Sequence, residues 1–180
     1  MSKPVNRCLK MQKNESYVSC SMIPPQLCKQ ERNRTCSVAA IRTILSAFGG
    51  KVLSEAEFIK KYDLVKGPHY TEEIISKKMF GTRKVLSCLD FANQEISLKL
   101  LNNLLKEKYY IMAECLYNCA HWVVVLAYIA TGGKDDLKEH RILFYDPYYD
   151  ETRLVRADEF YEMWCDINGH RHEFIAVMSA

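Results

Sequence analysis

Apolar residues recur at helical spacing through much of the first 108 residues of the chain. The longest such segment begins at Cys36, keeps an apolar residue at every third or fourth position, and meets a glycine stop at Gly49. Ser54 and Glu57 form a capping-box pattern that starts a second helix, which is expected to run to about residue 62. Two further helices are predicted, from residue 71 onward and over residues 97–108.

After residue 108 the pattern changes to short runs of β-branched and aromatic residues, which are typical of strands. Strands are predicted over residues 109–115, 121–128, 141–145 and 173–178, with a short helix over 157–164. A polar stretch at 132–137 connects two of the strands in the manner of a hairpin loop. Helices followed by antiparallel strands predict an α+β fold, in which an N-terminal helical half packs on a C-terminal antiparallel sheet. A cleft is expected where the two halves meet.

The first part of the chain lacks these patterns. Residues 1–25 are polar and end in a Pro-Pro pair, which predicts an irregular N-terminal extension. Residues 26–180 would then form one domain, since 180 residues are enough for a single sizeable core. The longest apolar run, residues 122–130, is far shorter than the roughly 20 residues of a membrane-spanning helix. Without the apolar centre of a secretory signal, we expect a cytoplasmic protein, or one exported without a cleavable signal peptide.

Charge and cysteine content narrow the classes of partner. The formal net charge is +3 and the basic residues are scattered, so nucleic acid is not expected as a partner. The eight cysteines are expected to be free thiols, because the chain can build a core without disulfides. Cys115, Cys119 and His121 have a spacing that zinc could use, but the second tight pair of a structural zinc site is missing. We therefore expect no metal and no cofactor; a Cys115–Cys119 disulfide or two separate thiols is favoured there.

Four residues have the types and the order that acyl transfer by a thiol requires. Cys36 begins the first helix, where the positive end of the helix dipole favours the nucleophilic thiolate. His121 begins a strand and Asp146 ends another, so pairing of these strands would let the carboxylate orient the imidazole. Gln30 lies a short turn before Cys36, and its amide could join the Cys36 N–H as a donor to an oxyanion. Each residue alone commonly has a structural role, whereas all four in this order indicate catalysis.

Other polar and aromatic residues near these four have two interpretations each. Four basic residues would favour the thiolate or an acidic substrate, or would form an ordinary exposed face: Lys29, Arg32, Arg34 and Arg42. Three tyrosines would wall a substrate groove, or would serve as core or rim packing: Tyr145, Tyr148 and Tyr149. His170 and His172 are expected in a solvated loop.

The same segments resemble a known family. Residues 30–40, followed by Phe-Gly-Gly and Ser-Glu-Ala-Glu-Phe, look like the start of a C39-type peptidase domain. This is the papain-like fold of enzymes that process bacteriocin leader peptides. The second half of the family is similar to residues 120–128, 144–147 and 158–164, so the resemblance spans about residues 26–180.

The resemblance implies a bacterial papain-like cysteine peptidase. Its glutamine, cysteine, histidine and aspartate would fall on Gln30, Cys36, His121 and Asp146. Ser37 departs from the family pattern, which often has glycine after the nucleophile. Since no Walker motif occurs and no transporter segment follows residue 180, we expect a stand-alone enzyme without an ABC transporter.

The expected function is that of a cysteine peptidase or amidase acting on a peptide or protein substrate. Two alternatives stay open. One is an acyltransferase or transglutaminase-like enzyme, which would resolve the same thioester with an amine or an alcohol. The other is a papain-like binding domain that has lost activity.

Overall fold

The computed structural model describes residues 17–49, 51–64, 79–88, 94–116, 119–130, 138–165 and 173–179. Seven strands and four α-helices lie within these residues. In chain order they are β1 Tyr17–Ser21, α1 Cys36–Leu45, α2 Glu55–Tyr62, β2 Val85–Cys88, α3 Gln94–Lys106, β3 Tyr109–Leu116, β4 Ala120–Ala130, β5 Arg141–Asp146, β6 Glu151–Arg156, α4 Ala157–Met163 and β7 Phe174–Met178. A short 3₁₀ turn, Ser46–Phe48, extends α1. No helix in the described part of the chain is both long and apolar enough to cross a membrane.

The strands form one antiparallel sheet in the order β2-β7-β3-β4-β5-β6. Strand β4 is the longest, at 11 residues, and β3 pairs only with its first half, residues 120–125. The second half, residues 127–130, extends past the end of β3 and pairs with β1. On its other edge β4 pairs with β5, with Val124 opposite Tyr145. This register brings the start of β4 close to the end of β5.

Both faces of the sheet are covered by helices. Side chains alternate along β4, so Trp122, Val124 and Leu126 pack in a core with α1 and α2. We call this core the α1 face. Val123 and Val125 point the other way, into a core with α3 and α4, which we call the α3 face. The α+β prediction is confirmed, and the nucleophile candidate Cys36 belongs to the α1 face.

Most of the predicted elements are present. The helix that starts at Cys36 is confirmed, and so is the capping box at the start of α2: Ser54 Oγ accepts from Glu57 N, and Glu57 Oε2 accepts from Ser54 N at 2.9 Å. The helix predicted over residues 97–108 begins three residues earlier, at Gln94, and ends at Lys106. The four predicted strands form, each with small shifts at its ends. The helix predicted from residue 71 and the connection at 132–137 lie outside the described residues.

One prediction about the N-terminal extension is wrong. Residues 17–21, expected to be irregular, form β1 because the protruding end of β4 offers its main-chain groups for pairing. The main chain stays attached just beyond the strand, where Met22 N donates to Leu126 O at 2.8 Å. Strand β2 lies in the part of the chain that was expected to be helical, so two strands of the sheet come from before residue 108. The domain boundary at residue 26 stays a prediction.

Candidate active site

Cys36 is the first residue of α1, and its side chain is almost fully buried. The preceding residue, Thr35, does not cap the helix with its hydroxyl. The hydroxyl lies instead within hydrogen-bonding distance of Arg32 O, at 2.7 Å, and of Glu55 Oε2, at 2.8 Å. The first turn of α1 also contains no acidic residue. Since helix N–H groups in the first turn have no intrahelical acceptor, the positive end of α1 is left for the thiol and for any anion that forms beside it.

His121 and Asp146 are brought together by the pairing of β4 with β5. His121 Nε2 lies 2.8 Å from Asp146 Oδ1, and both side chains are buried. A carboxylate only accepts, so Nε2–H is the donor, which fixes the imidazole tautomer. The ring is also hydrogen-bonded to the Cys36 thiol. Because Nε2 is engaged by Asp146, Nδ1 is the ring nitrogen left to contact the sulfur. The three residues thus form a continuous chain of side-chain contacts.

The pKa values of all three residues are shifted in the directions that favour an ion pair. Burial alone would raise the pKa of Cys36, but hydrogen bonds from His121 and the Trp122 backbone, with the His121 charge, bring it below its ordinary value. Burial would lower the pKa of His121, but the bonds to Asp146 and Cys36 raise it to about 9. Burial opposes the ionisation of Asp146, yet its bond with His121 keeps its pKa lowered. A thiolate on Cys36 and an imidazolium on His121 therefore stabilise each other.

Two other buried cysteines show that burial alone has the opposite effect. Burial raises the pKa of the Cys28 thiol, and the nearby Arg42 charge only partly offsets it. The pKa of Cys115 is raised well above the ordinary range, because that thiol is fully buried and lies near acidic groups. The lowered pKa of Cys36 is thus a property of its partners, His121 and the end of α1.

Asp146 is held by the turn that follows β5. Its Oδ1 also accepts from Tyr148 N at 3.0 Å and from Tyr149 N at 3.4 Å, as an aspartate does when it starts a turn. Its Oδ2 is buried and lies 3.9 Å from Arg153 Nη1 on β6. These contacts hold the carboxylate independently of the imidazole, so Asp146 presents Oδ1 to His121 in one orientation.

Gln30 reaches the same region through its main chain. Gln30 N donates to Pro147 O at 2.8 Å, which ties the segment before α1 to the turn after Asp146. The side-chain Nε2 donates to Arg32 O at 2.6 Å, and Oε1 is buried without a hydrogen-bond partner in the described part of the chain. An amide nitrogen has two protons, so one remains for a further acceptor.

An ion network centred on the buried Arg42 holds the segment that carries Gln30, and sequence reasoning missed it. Arg42 Nη2 lies 2.8 Å from Glu31 Oε1, and Arg42 Nη1 lies 3.8 Å from Glu55 Oε1. Glu55 in turn meets the Thr35 hydroxyl beside Cys36. Arg42 was considered as part of an exposed basic face; it is buried and paired, whereas the other three members of that set, Lys29, Arg32 and Arg34, are exposed. Only residues from three separate segments complete this network, so no local pattern could reveal it.

The tyrosines near Asp146 divide between core and rim. Tyr145 is buried and donates to Asp150 Oδ1 at 2.7 Å. Tyr148 and Tyr149 are more than half exposed, and the Tyr148 ring packs edge-on to His121 with 6.4 Å between ring centroids. The exposed pair therefore lies at the opening of the site.

The geometry around His121 is not that of a zinc site. The ring contacts Cys36 and Asp146, and in the described residues no group of three or more histidine, cysteine or acidic side chains could hold a metal ion. Cys115 and Cys119 are separate thiols, the first buried and the second exposed. The segment with His170 and His172 lies outside the described residues.

Comparisons with known proteins identify the fold of the chain. No family model matches the chain, and no curated protein matches it in sequence. Among solved structures, it is similar to the peptidase domain of Streptococcus ComA, a bi-functional ABC transporter involved in a quorum sensing pathway. That similarity has 15% identity and a TM-score of 0.55, and covers 85% of this chain and 98% of that domain.

A second similar structure is UfSP from C. elegans, with 13% identity and a TM-score of 0.59. The similarity covers 89% of this chain but 33% of UfSP, so the chain spans about a third of that protein. Together these structures establish the papain-like cysteine peptidase fold for this α+β chain. Because one fold hosts many activities, a functional assignment depends on the geometry of Cys36, His121 and Asp146.

Proposed function

We propose that the protein is a cysteine peptidase or amidase in which Cys36, His121 and Asp146 act as a catalytic triad. The observation that carries the proposal is the continuous chain of contacts from the Cys36 thiol through the His121 ring to Asp146 Oδ1. It begins at an uncapped helix end and finishes on a fully buried carboxylate. The similarity to a peptidase domain supports the same reaction class.

In the first half of the reaction, the Cys36 thiolate attacks the carbonyl carbon of the scissile bond and forms a tetrahedral intermediate. The negative charge on the former carbonyl oxygen needs donors that are already oriented. The N–H groups at the start of α1 are suited to this, and the second amide proton of Gln30 is the proposed additional donor. His121 Nδ1–H then protonates the leaving amine, and the C–N bond breaks to give a thioester on Cys36.

In the second half, a water molecule attacks the thioester while His121 Nδ1, now neutral, accepts its proton. The C–S bond breaks, the acid product leaves, and the proton on Nδ1 restores the thiolate–imidazolium pair. Asp146 holds the ring in the orientation that serves both halves, because its bond to Nε2 leaves Nδ1 toward the sulfur in each. If an amine replaces water, the same thioester gives acyl transfer. No observation on the described residues favours transfer over hydrolysis.

The proposal is tested with a general acyl donor, since it does not depend on the natural substrate. Mixing the protein with nitrophenyl acetate should release a burst of one equivalent of nitrophenolate. Mass spectrometry of the acid-quenched protein should find one acetyl group on Cys36. Added glycinamide then separates hydrolysis from transfer, because transfer yields acetylglycinamide in place of acetate.

Cys28→Ala is the matched control for Cys36→Ala. Both thiols are buried on the same side of the molecule, but the pKa of Cys28 is raised by burial whereas that of Cys36 is lowered. The burst should disappear in the Cys36 variant and remain in the Cys28 variant. A burst that survives Cys36→Ala, or an acetyl group found on another thiol, would reject the proposed nucleophile.

A further inference from the structure

A cavity lies at the opposite end of α1 from Cys36. It has a volume of about 340 Å³ and is bounded by the C-terminal part of α1, residues 51–53 before α2, the face of α2 that carries Phe58 and Lys61, and the segment at 79–83. Since α1 has ten residues, its two ends are about 15 Å apart. None of the residues proposed for catalysis lines this cavity. A volume of this size is in the range of small-molecule sites.

The rim of the cavity is cationic. Lys51, Lys61 and Arg83 line it and are exposed, and Arg42 lines it from within. No acidic side chain belongs to the lining that the described residues provide. Arg42 is already paired with Glu31 at 2.8 Å, so the exposed three are the cations left to meet a ligand.

Two of the exposed cations rest on aromatic rings. The Arg83 guanidinium lies 4.1 Å from the Phe48 ring centroid, and Lys61 Nζ lies 5.1 Å from that of Tyr62. Such contacts hold a cation in place without neutralising its charge. Lys51 differs, because it lies near the carboxylate of Glu57 on the solvent side of α2. Lys61 and Arg83 are therefore the most direct carriers of positive charge at the rim.

Below the cationic rim, the floor and the walls of the cavity are formed by apolar side chains. Phe58 and Met79, both buried, line its floor, and partly buried leucine, valine and phenylalanine side chains line its walls. A small inorganic anion would leave this surface in contact with water, and a neutral apolar molecule would leave the cations unused. A ligand with an apolar body and one anionic group matches both parts.

We propose that this cavity binds a small amphipathic organic anion, such as a medium-chain carboxylate, with its apolar part on Phe58 and Met79 and its anionic group between Lys61 and Arg83. The site is separate from the proposed catalytic residues, so it is an additional binding function of the chain. It does not depend on the protein being a peptidase.

The test uses anilinonaphthalene sulfonate, a fluorescent amphipathic anion, as the probe. It should bind with one-to-one stoichiometry, and octanoate should displace it, whereas neither octanol nor inorganic phosphate should do so at the same concentration. The double variant Lys61→Gln/Arg83→Gln should bind the probe and octanoate about tenfold more weakly, since two charge contacts are lost. The matched control is Lys99→Gln/Lys106→Gln, which removes the same charge from exposed positions on α3 and should bind like the unmodified protein.

Three results would overturn the proposal. Equal affinity in the two double variants would show that the rim cations do not bind the probe. Equal displacement by octanol would show an apolar site without charge selectivity. Loss of probe binding after alkylation of Cys36 would place the probe in the cleft beside the triad. Circular dichroism melting of both double variants checks that they fold alike.

Discussion

The two faces of the sheet bury different kinds of side chains. The α3 face is dominated by leucines of α3, such as Leu101, and by aromatic rings in and just after α4, such as Trp164. The α1 face has its own apolar residues, but it also holds a buried thiol, a buried arginine and a buried glutamate at Cys36, Arg42 and Glu55. The α3 face thus buries mainly apolar side chains, whereas the α1 face also buries charged ones.

This difference separates the stability of the fold from its proposed chemistry. Six buried side-chain polar atoms have no hydrogen-bond partner among the described residues. Four belong to the triad and to the residues held beside it, Gln30 Oε1, Arg42 Nη1, Glu55 Oε1 and Asp146 Oδ2, and two lie elsewhere, Tyr109 Oη and His140 Nε2. A buried polar atom without a hydrogen bond costs about 1–3 kcal/mol of stability, and the ion pairs Arg42–Glu55 and Arg153–Asp146 offset part of this cost. The apolar packing of the α3 face supplies burial that offsets this cost, so substitutions on the two faces should affect different properties.

The largest expected effect is on the rate in His121→Gln. Loss of the imidazole removes both the proton carrier and the partner of the thiolate, so the burst rate should fall by about 10⁴–10⁶-fold. The melting temperature should also fall, because the buried Asp146 carboxylate loses its partner. His140→Gln is the matched control: His140 is also buried, and its Nδ1 bonds Tyr128 at 2.7 Å far from the site. It should lose about 1–3 kcal/mol of stability and keep its rate. Equal rate losses in both variants would contradict the assignment.

Asp146→Asn should have the next largest effect. The amide can preserve the shape of the turn, but it no longer favours the imidazolium, so the burst rate should fall by roughly 10²–10⁴-fold. The pKa of His121 should fall from about 9 toward its ordinary value, because the bond with the carboxylate is one of the causes that raise it. NMR titration of the histidine ring protons measures this shift. A rate loss with an unchanged His121 pKa would mean that Asp146 acts only through the turn.

Leu101→Ala tests the other face. Leu101 is buried in the α3 face, and its truncation should cost about 2–5 kcal/mol in the free energy of unfolding, measured by urea denaturation. The burst rate per folded molecule should stay the same. A rate loss that persists after correction for the folded fraction would show that the two faces are coupled.

Gln30→Ala should weaken the reaction less than the triad variants. Removing one oxyanion donor commonly costs 10²–10³-fold, and about 10²-fold is expected here because the amide already bonds Arg32 O. Gln30→Glu is the informative partner variant, since it keeps the size but replaces the donor with a repelling charge. Its rate should be at or below that of the alanine variant. Full activity in both would remove Gln30 from the proposed site.

The smallest effect is the shape of a pH profile. The rate at which iodoacetamide alkylates Cys36 should rise in two steps as the pH is raised. The first step should come below the ordinary thiol pKa, and the second, smaller step at a pH of about 9, where His121 loses its proton. The same titration affects stability. Because folding raises the pKa of His121 from 6.5 to about 9, its contribution to the free energy of unfolding is complete below pH 6.5 and is lost as the pH rises through about 9. Cys28 and Cys115, read by peptide mapping, should show one late rise. A single late rise at Cys36 too would exclude the ion pair.

The sequence predicted much of this arrangement where local patterns determine the structure. The helix at Cys36, the capping box at Ser54 and the strands that hold His121 and Asp146 all follow from periodicity and caps. The expected pairing of the strands that hold His121 and Asp146 is confirmed by the β4/β5 register. This pairing brings the imidazole to the carboxylate.

The features that could not be predicted either lack a clear apolar pattern or depend on contacts between distant segments. Strand β6 is a polar edge strand with alternating exposed residues, and β2 has only four residues, so neither has a clear apolar signal. Strand β1 forms only because β4 is longer than β3. The Glu31–Arg42 pair and the approach of Arg153 to Asp146 likewise join segments whose separation no local pattern encodes.

The hydrogen bond from Gln30 N to Pro147 O has a consequence for the time at which the thiol becomes reactive. It joins a part of the chain that is synthesised early to a part that leaves the ribosome roughly a hundred residues later. Until the β4/β5 hairpin is complete, Cys36 has neither its histidine nor this tie and behaves as an ordinary thiol. The raised reactivity of Cys36 should therefore appear only when the fold is complete, so its onset would report the completion of folding.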